Sequence, residues 1–158
     1  MRQSLSESGS SVVTRRPVGA GAAGAGFVLG ALALSAALAV AALVDQTGPR
    51  TLMDHTQDVY AGHSAPPSAA VVYGLLYFVS ALGVVLWILT LVGARSGRRW
   101  AAWVAGVVTV VTAGLAVSLL VASEYGEAVF PPFWGLVALL SPLAGVGAVV
   151  PLRRRARG

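Results

Sequence analysis

The sequence predicts an all-α membrane protein: a four-helix transmembrane bundle, N-in/C-in. Three observations predict it. The chain is 56% hydrophobic and only 11% charged, four long stretches carry no charged residue, and the charges between those stretches are sorted by sign. Soluble domains carry roughly 25% charged residues. A chain with so few charges could not cover a water-facing surface, so most of its surface is expected to face lipid.

The charge-free stretches set the spans, because a helix needs about 20 apolar residues to cross roughly 30 Å of hydrocarbon. A membrane domain over 18–152 is predicted, with spans at about 18–44, 69–92, 100–122 and 132–152. The stretches are apolar on every face, unlike the alternating strands of a membrane barrel. Residues 1–17 are predicted to form a disordered cytoplasmic tail and 153–158 a basic cytoplasmic tail.

A cleaved secretory signal is the alternative for the first span. The apolar run there is much longer than the roughly 7–15 residues usual for a signal sequence. A retained membrane helix is therefore the favoured interpretation.

Arginines set the predicted orientation. All 11 basic residues are Arg, and ten of them fall on the side that holds the tails and the link between the second and third spans. The arginines that mark this side most clearly are Arg15, Arg16, Arg95, Arg98, Arg99, Arg153, Arg154 and Arg155. The other side holds Arg50 with five of the six acidic residues. Arginine-rich segments stay in the cytoplasm, so a multi-pass plasma (inner) membrane protein with both termini cytoplasmic is predicted.

The outer loop, 45–68, is the one extramembrane segment with room for structure, and a short helix over 51–61 is predicted there. Thr51 is the expected N-cap, with Asp54 three residues later. Leu52 and Val59 would share one face, which could rest on the membrane surface.

The same loop holds the weak metal-ligand candidates His55, His63, Asp54 and Asp58. Histidines and carboxylates are the ligands that a zinc site would use. Their spacing fits no established site, so a solvated polar loop is favoured and no metal or other cofactor is predicted.

Small residues are predicted to pack helices together. Gly26 and Gly30 form a GxxxG pair, and Gly106, Gly114 and Ser118 follow a four-residue ladder in the third span. Small residues let helix backbones approach closely where hydrophobicity gives no driving force. Packing inside the bundle is the favoured interpretation, and dimerisation or docking on a partner is the alternative.

One motif suggests a nucleotide site and is set aside. Residues 19–24 read Gly-Ala-Gly-Ala-Ala-Gly, which matches the dinucleotide-binding pattern G-x-G-x-x-G. That pattern works only between a strand and a helix, whereas here it opens a membrane span.

Function is constrained mainly by what the spans lack. No predicted span carries Asp, Glu, Lys, Arg or His, and the chain has no Cys. Proton-coupled transporters use intramembrane carboxylates or histidines, membrane haem needs axial ligands, and an intramembrane serine protease needs a base beside its serine. The sequence therefore favours a non-enzymatic accessory, assembly or interaction component.

Two alternatives remain open. The first is a small transporter or channel subunit with a polar cavity between spans, lined by Tyr73, Tyr77, Ser80 and Thr109. The second is ligand or metal sensing at the outer face through the 54–63 loop. The predicted partners are the lipid bilayer and a membrane-protein partner or a second copy of the chain, with no nucleic acid.

Three short segments carry a resemblance: Val44-Asp45-Gln46-Thr47, Tyr73-Gly74 with Tyr77, and Glu124-Tyr125-Gly126. The arrangement resembles uncharacterised four-transmembrane-helix membrane proteins of high-GC actinobacteria. The resemblance covers roughly residues 20–152. It implies the four-span fold and a bacterial membrane, and it assigns no catalytic residue.

Overall fold

A computed structural model of the protein describes residues 19–63, 65–98 and 100–157. The predicted tail over 1–17, with Arg15 and Arg16, lies outside the described residues, as does Arg99. The side chain of Arg155 is likewise outside the description.

The described chain forms five helices and one small hairpin. The elements are α1 Gly19–Thr47, α2 Thr51–Tyr60, α3 Ala69–Arg95, α4 Ala101–Val121, β1 Ser123–Glu124, β2 Glu127–Ala128 and α5 Pro132–Arg157. Four of the helices, α1, α3, α4 and α5, are long and apolar enough to cross a membrane. The predicted all-α bundle of four membrane helices is thereby confirmed.

The four long helices pack in a ring in which each contacts its neighbours in the order α1, α3, α4, α5. Helix α5 closes the ring by packing on both α1 and α4. Short connections between consecutive helices make neighbours antiparallel. We call the end that carries α2 and the hairpin the outer end, and the end that carries Arg95, Arg98, Arg153 and Arg154 the inner end, after the predicted orientation.

Several helices run past the predicted spans. Helix α1 continues to Thr47 and ends just before Gly48-Pro49, where proline cannot donate a helix hydrogen bond, and α5 continues to Arg157. The basic segment over 153–158 was predicted as a tail, but arginine is a strong helix former and is favoured at a helix C-terminus. Most of that segment is therefore the last turn and a half of α5.

The interior consists of two apolar clusters. The outer cluster is built around Leu76, Tyr73 and Trp134, and the inner cluster around Val28, Trp87 and Leu152. Between them lie the buried hydroxyls of Ser35 and Ser141, at most 5% exposed. The bundle therefore has a thin polar layer across its middle.

The residues that bring helices into close contact are not the predicted ones. A Cβ atom added to Gly26, Gly30, Gly106 or Gly114 would meet no atom within 4 Å. Ser118 is exposed, and its hydroxyl bonds back to its own helix at the carbonyl of Gly114. The prediction that these five residues pack the bundle is therefore wrong, because their helices turn other faces to their neighbours.

Close approach occurs instead at Gly145 of α5 and Gly83 of α3. A Cβ on Gly145 would lie 2.7 Å from Thr109 Oγ1 and closer still to the ring of Trp87, and one on Gly83 would lie 2.8 Å from Ser35 Oγ. A real Cβ cannot occupy either place without displacing a buried neighbour.

Gly145→Ala should lower the free energy of unfolding by about 1–3 kcal/mol, the usual cost of overpacking a dense core. Thermal unfolding of the detergent-solubilised protein measures it. Gly30→Ala is the matched control, because it adds the same methyl group where nothing is near and should be neutral or slightly stabilising. Equal stability of the two variants would contradict the packing described.

Candidate functional site: the outer cap

The outer end of the bundle is organised around Asp45, which lies in the last turn of α1 and is 6% exposed. After Thr47 the chain reverses through Gly48-Pro49-Arg50. The backbone N–H of Arg50 returns to the carbonyl of Asp45 at 2.8 Å. This reversal places the start of α2 directly beside the Asp45 side chain.

The Asp45 carboxylate accepts four hydrogen bonds. Oδ1 accepts from the backbone N–H of Thr51 at 3.0 Å and from its hydroxyl at 2.5 Å. Oδ2 accepts from the backbone N–H of Leu52 at 3.1 Å and from the hydroxyl of Tyr73 at 2.7 Å. One side chain therefore joins the end of α1, the start of α2 and the first turns of α3.

Asp45 performs the capping that Thr51 was predicted to perform. Thr51 is the first residue of α2, and the preceding residue, Arg50, makes no side-chain cap. The N-terminus of a helix presents unpaired N–H groups and partial positive charge, both of which favour an anion. The buried charge of Asp45 is thus balanced by a helix terminus and a phenol rather than by an arginine.

Arg50 has a left-handed backbone, with φ 56°. Such a conformation in a residue other than glycine is uncommon and costs of the order of 1 kcal/mol or more. The reversal needs it to bring α2 back over α1, so the contacts of Asp45 must offset that strain.

Helix α2 is also attached to the hairpin between α4 and α5. The ring of His55 donates from Nε2 to the carbonyl of Ala128 at 2.8 Å, and Tyr60 donates to Glu124. The His63 ring stacks on Tyr125 with centroids 4.4 Å apart. Both extramembrane connections at the outer end are therefore tied together.

The hairpin is a two-residue turn with positive φ at Tyr125 (56°) and Gly126 (88°). That combination belongs to the type I′ turn, whose twist matches paired strands. The turn holds the Tyr125 ring above the end of α2.

The apolar face of α2 closes the bundle. Leu52 is fully buried and Val59 is 4% exposed. The expectation that this face rests on the membrane surface is wrong, because Leu52 belongs to the outer apolar cluster of the bundle itself. We call α2, the hairpin and Asp45 together the outer cap.

A recess of about 360 Å³ opens beside the outer cap. It is lined by Gln46, Arg50, Met53, Asp54, Gln57, Ala69 and Tyr73. One guanidinium and one carboxylate thus share a small surface with two amides. The Gln46 amide oxygen already accepts from the Tyr77 hydroxyl at 2.6 Å.

The weak metal-ligand candidates are not brought together. His55 points to the hairpin and His63 stacks on Tyr125, while Asp54 lines the recess. Across the residues that the structure describes, no group of three or more His, Cys, Asp or Glu side chains could hold a metal ion.

The hydroxyls of the polar layer hydrogen bond to one another, to the Trp87 ring and to the backbone. Ser35 and Ser141 lie 2.8 Å apart through their Oγ atoms, and Trp87 donates from Nε1 to Ser141 at 2.9 Å. Ser80 donates to the carbonyl of Ser35 at 2.5 Å. A cavity of about 20 Å³ adjoins them, which is room for about one water.

The four side chains proposed to line a transport cavity lie at different levels of the bundle, with Tyr73 and Tyr77 together near the outer recess and Ser80 and Thr109 deeper inside. Tyr73 lies at the outer recess and Ser80 at the central cavity, and Tyr77 bonds to Gln46. Thr109 bonds back to its own helix at the carbonyl of Ala105. None of the described cavities is lined by all four.

Sequence reasoning missed Asp45 as a structural centre and used it only as one of the acidic residues of the outer side and as part of the segment Val44-Asp45-Gln46-Thr47. The available signal was its position, at the end of an apolar run and just before Gly-Pro and a threonine. That pattern is common enough that it could not single out a carboxylate which caps a helix six residues later.

Asp45→Ala should lower the free energy of unfolding by about 2–4 kcal/mol, because it leaves two backbone N–H groups, of which that of Leu52 is buried, and two hydroxyls without their acceptor. Protease cleavage within 45–68 should also become faster. Both are measured on protein in detergent micelles. Asp58→Asn, which changes an exposed carboxylate of the same loop, is the control and should alter stability by no more than about 0.5 kcal/mol.

Tyr73→Phe should lower the free energy of unfolding by less than Asp45→Ala and by more than Asp58→Asn, since it removes one of the four donors to Asp45. If Asp45→Ala were as stable and as protease-resistant as Asp58→Asn, the outer cap would not depend on Asp45.

No protein-family model matches the chain, and neither a curated protein nor a solved structure matches it. The resemblance to actinobacterial four-span proteins therefore stays a prediction. The geometry of the described residues is that of a multi-pass membrane protein whose outer cap is fastened to the bundle.

Proposed function

We propose that the protein is a non-enzymatic accessory or assembly component of a bacterial plasma membrane, with both termini in the cytoplasm. One observation carries the proposal: the buried polar groups of the bundle already have hydrogen-bond partners within the chain. Among the described residues, no buried side-chain nitrogen or oxygen lacks a hydrogen-bond partner. An interior whose polar groups are all engaged in holding helices together offers little to a substrate or a transported ion.

The outward-facing glycines support an interaction role. Gly26 and Gly30 lie one turn apart on α1, with open space where a side chain would be. Glycines spaced in this way allow a second membrane helix to approach closely. The placement of these glycines thus favours docking on a partner or on a second copy of the chain over packing inside the bundle.

The outer cap supports the same role from the water-facing side. It is fastened at Asp45, at His55 and at Tyr60, so it presents a fixed surface rather than a loose loop. Fixed surfaces lose less conformational entropy on binding than mobile ones.

The transporter or channel alternative is less well supported. Tyr73 and Ser80, two of its proposed lining residues, line different cavities, and the central one is about 20 Å³. One observation favours sensing at the outer face, namely the recess lined by Arg50 and Asp54. The four metal-ligand candidates do not come together there.

The pair of variants Gly26→Ile and Gly30→Ile tests the role. The affinity-tagged chain, isolated from native membranes in mild detergent, should carry a stoichiometric membrane-protein partner or a second copy. Each isoleucine should reduce that association about tenfold or more, because it fills the space that an approaching helix needs. Neither should lower stability, since each faces open space.

Ala81→Ile is the control, because Ala81 is an exposed small residue on α3. It should leave the association intact. Isolation of a lone monomer, or association that both glycine variants leave unchanged, would overturn the proposed role.

A further inference from the structure

A groove runs along the lipid-facing side of the inner end, where the start of α4 meets the end of α5. It has a volume of about 370 Å³ and is lined by Trp103, Gly106, Val107, Val110, Val111 and Arg153. From Trp103 to Val111 it follows α4 for about 12 Å. Five of its six lining residues are uncharged, and the single charged one stands at the end that would meet the headgroup layer.

The floor of the groove exists because Gly106 has no side chain. A Cβ there would meet nothing within 4 Å, so no neighbouring helix fills the space. The walls are strongly exposed, with Trp103 77% and Val110 72% exposed. In a bilayer such surfaces are covered by acyl chains or by another membrane protein.

Charge distinguishes between those two occupants. The Arg153 guanidinium is exposed, and every acidic residue that the structure describes lies at the outer end. Among the residues that the structure describes, the inner end therefore has cations, Arg95 and Arg154 among them, and no side-chain carboxylate that could pair with them. A phosphate is the anion that a bilayer supplies at this depth, and a guanidinium binds it through two parallel hydrogen bonds.

The continuation of α5 past Leu152 makes this arrangement possible. Because Arg153 lies within the helix, its side chain starts from a fixed place at the rim of the groove. Trp103 stands two residues into α4, at the level where indole rings favour the boundary between headgroups and hydrocarbon. An apolar trough with a cation at its headgroup end matches an amphiphile with an anionic head.

We propose that this groove holds one anionic phospholipid, with its phosphate on Arg153 and one acyl chain lying over Gly106. This goes beyond the accessory role, since it assigns the protein a lipid ligand at a defined place. It does not depend on the protein–protein contact proposed for α1, which lies across the ring from α4.

The test uses the full chain in detergent, mixed with equal amounts of phosphatidylglycerol and phosphatidylcholine, with bound lipid counted by native mass spectrometry. The wild-type chain should retain phosphatidylglycerol about fivefold over phosphatidylcholine, the ratio expected from one arginine near an anionic headgroup. Arg153→Gln should abolish the preference, and Arg153→Lys should keep part of it. Gly106→Leu should reduce retention of both lipids by filling the trough.

Two controls separate this site from general surface effects. Arg154→Gln removes the same charge from the neighbouring residue, which does not line the groove, and should keep the preference. Gly114→Leu adds the same side chain elsewhere on α4 and should keep retention. Equal retention of the two lipids by the wild-type chain, or equal losses in Arg153→Gln and Arg154→Gln, would overturn the proposal.

Discussion

Hydrocarbon cannot hydrogen bond to protein, and the rest of the structure depends on that constraint. Every polar group within the bundle has to find its partner inside the chain. Ser35 and Ser141 do so across the polar layer, and Asp45 does so at the outer end. These bonds join helices that apolar packing alone would hold with little specificity.

Asp45 shows how a single carboxylate can organise an extramembrane segment. It lies where a span ends, and its four donors come from two other helices, α2 and α3. Capping a helix through a side chain from the preceding helix shortens the loop and positions α2 over the bundle. This arrangement requires the left-handed backbone conformation of Arg50. The outer cap is thus a consequence of one buried charge and of the sharp reversal that follows it.

Sequence reasoning reached the all-α bundle because lipid imposes a strong rule on composition, and four charge-free stretches satisfy it. It could not choose which glycines pack, because Gly106 and Gly145 differ only in the direction that each faces after the helices associate. The role of Asp45 was hidden for a related reason. Its donors at Thr51, Leu52 and Tyr73 come near it only once the chain has turned back. Properties of single segments were therefore predictable, and properties of contacts between segments were not.

The central claim is that four helices thread the membrane, with the outer cap on one side and the arginine-rich end on the other. Alkaline phosphatase fused after Gly158, and separately inserted after Gly62 in the outer loop, tests it most directly. The account predicts an inactive enzyme at Gly158, where it would stay in the cytoplasm, and an active one at Gly62. Activity at Gly158, or inactivity at Gly62 in a stably expressed fusion, would contradict it.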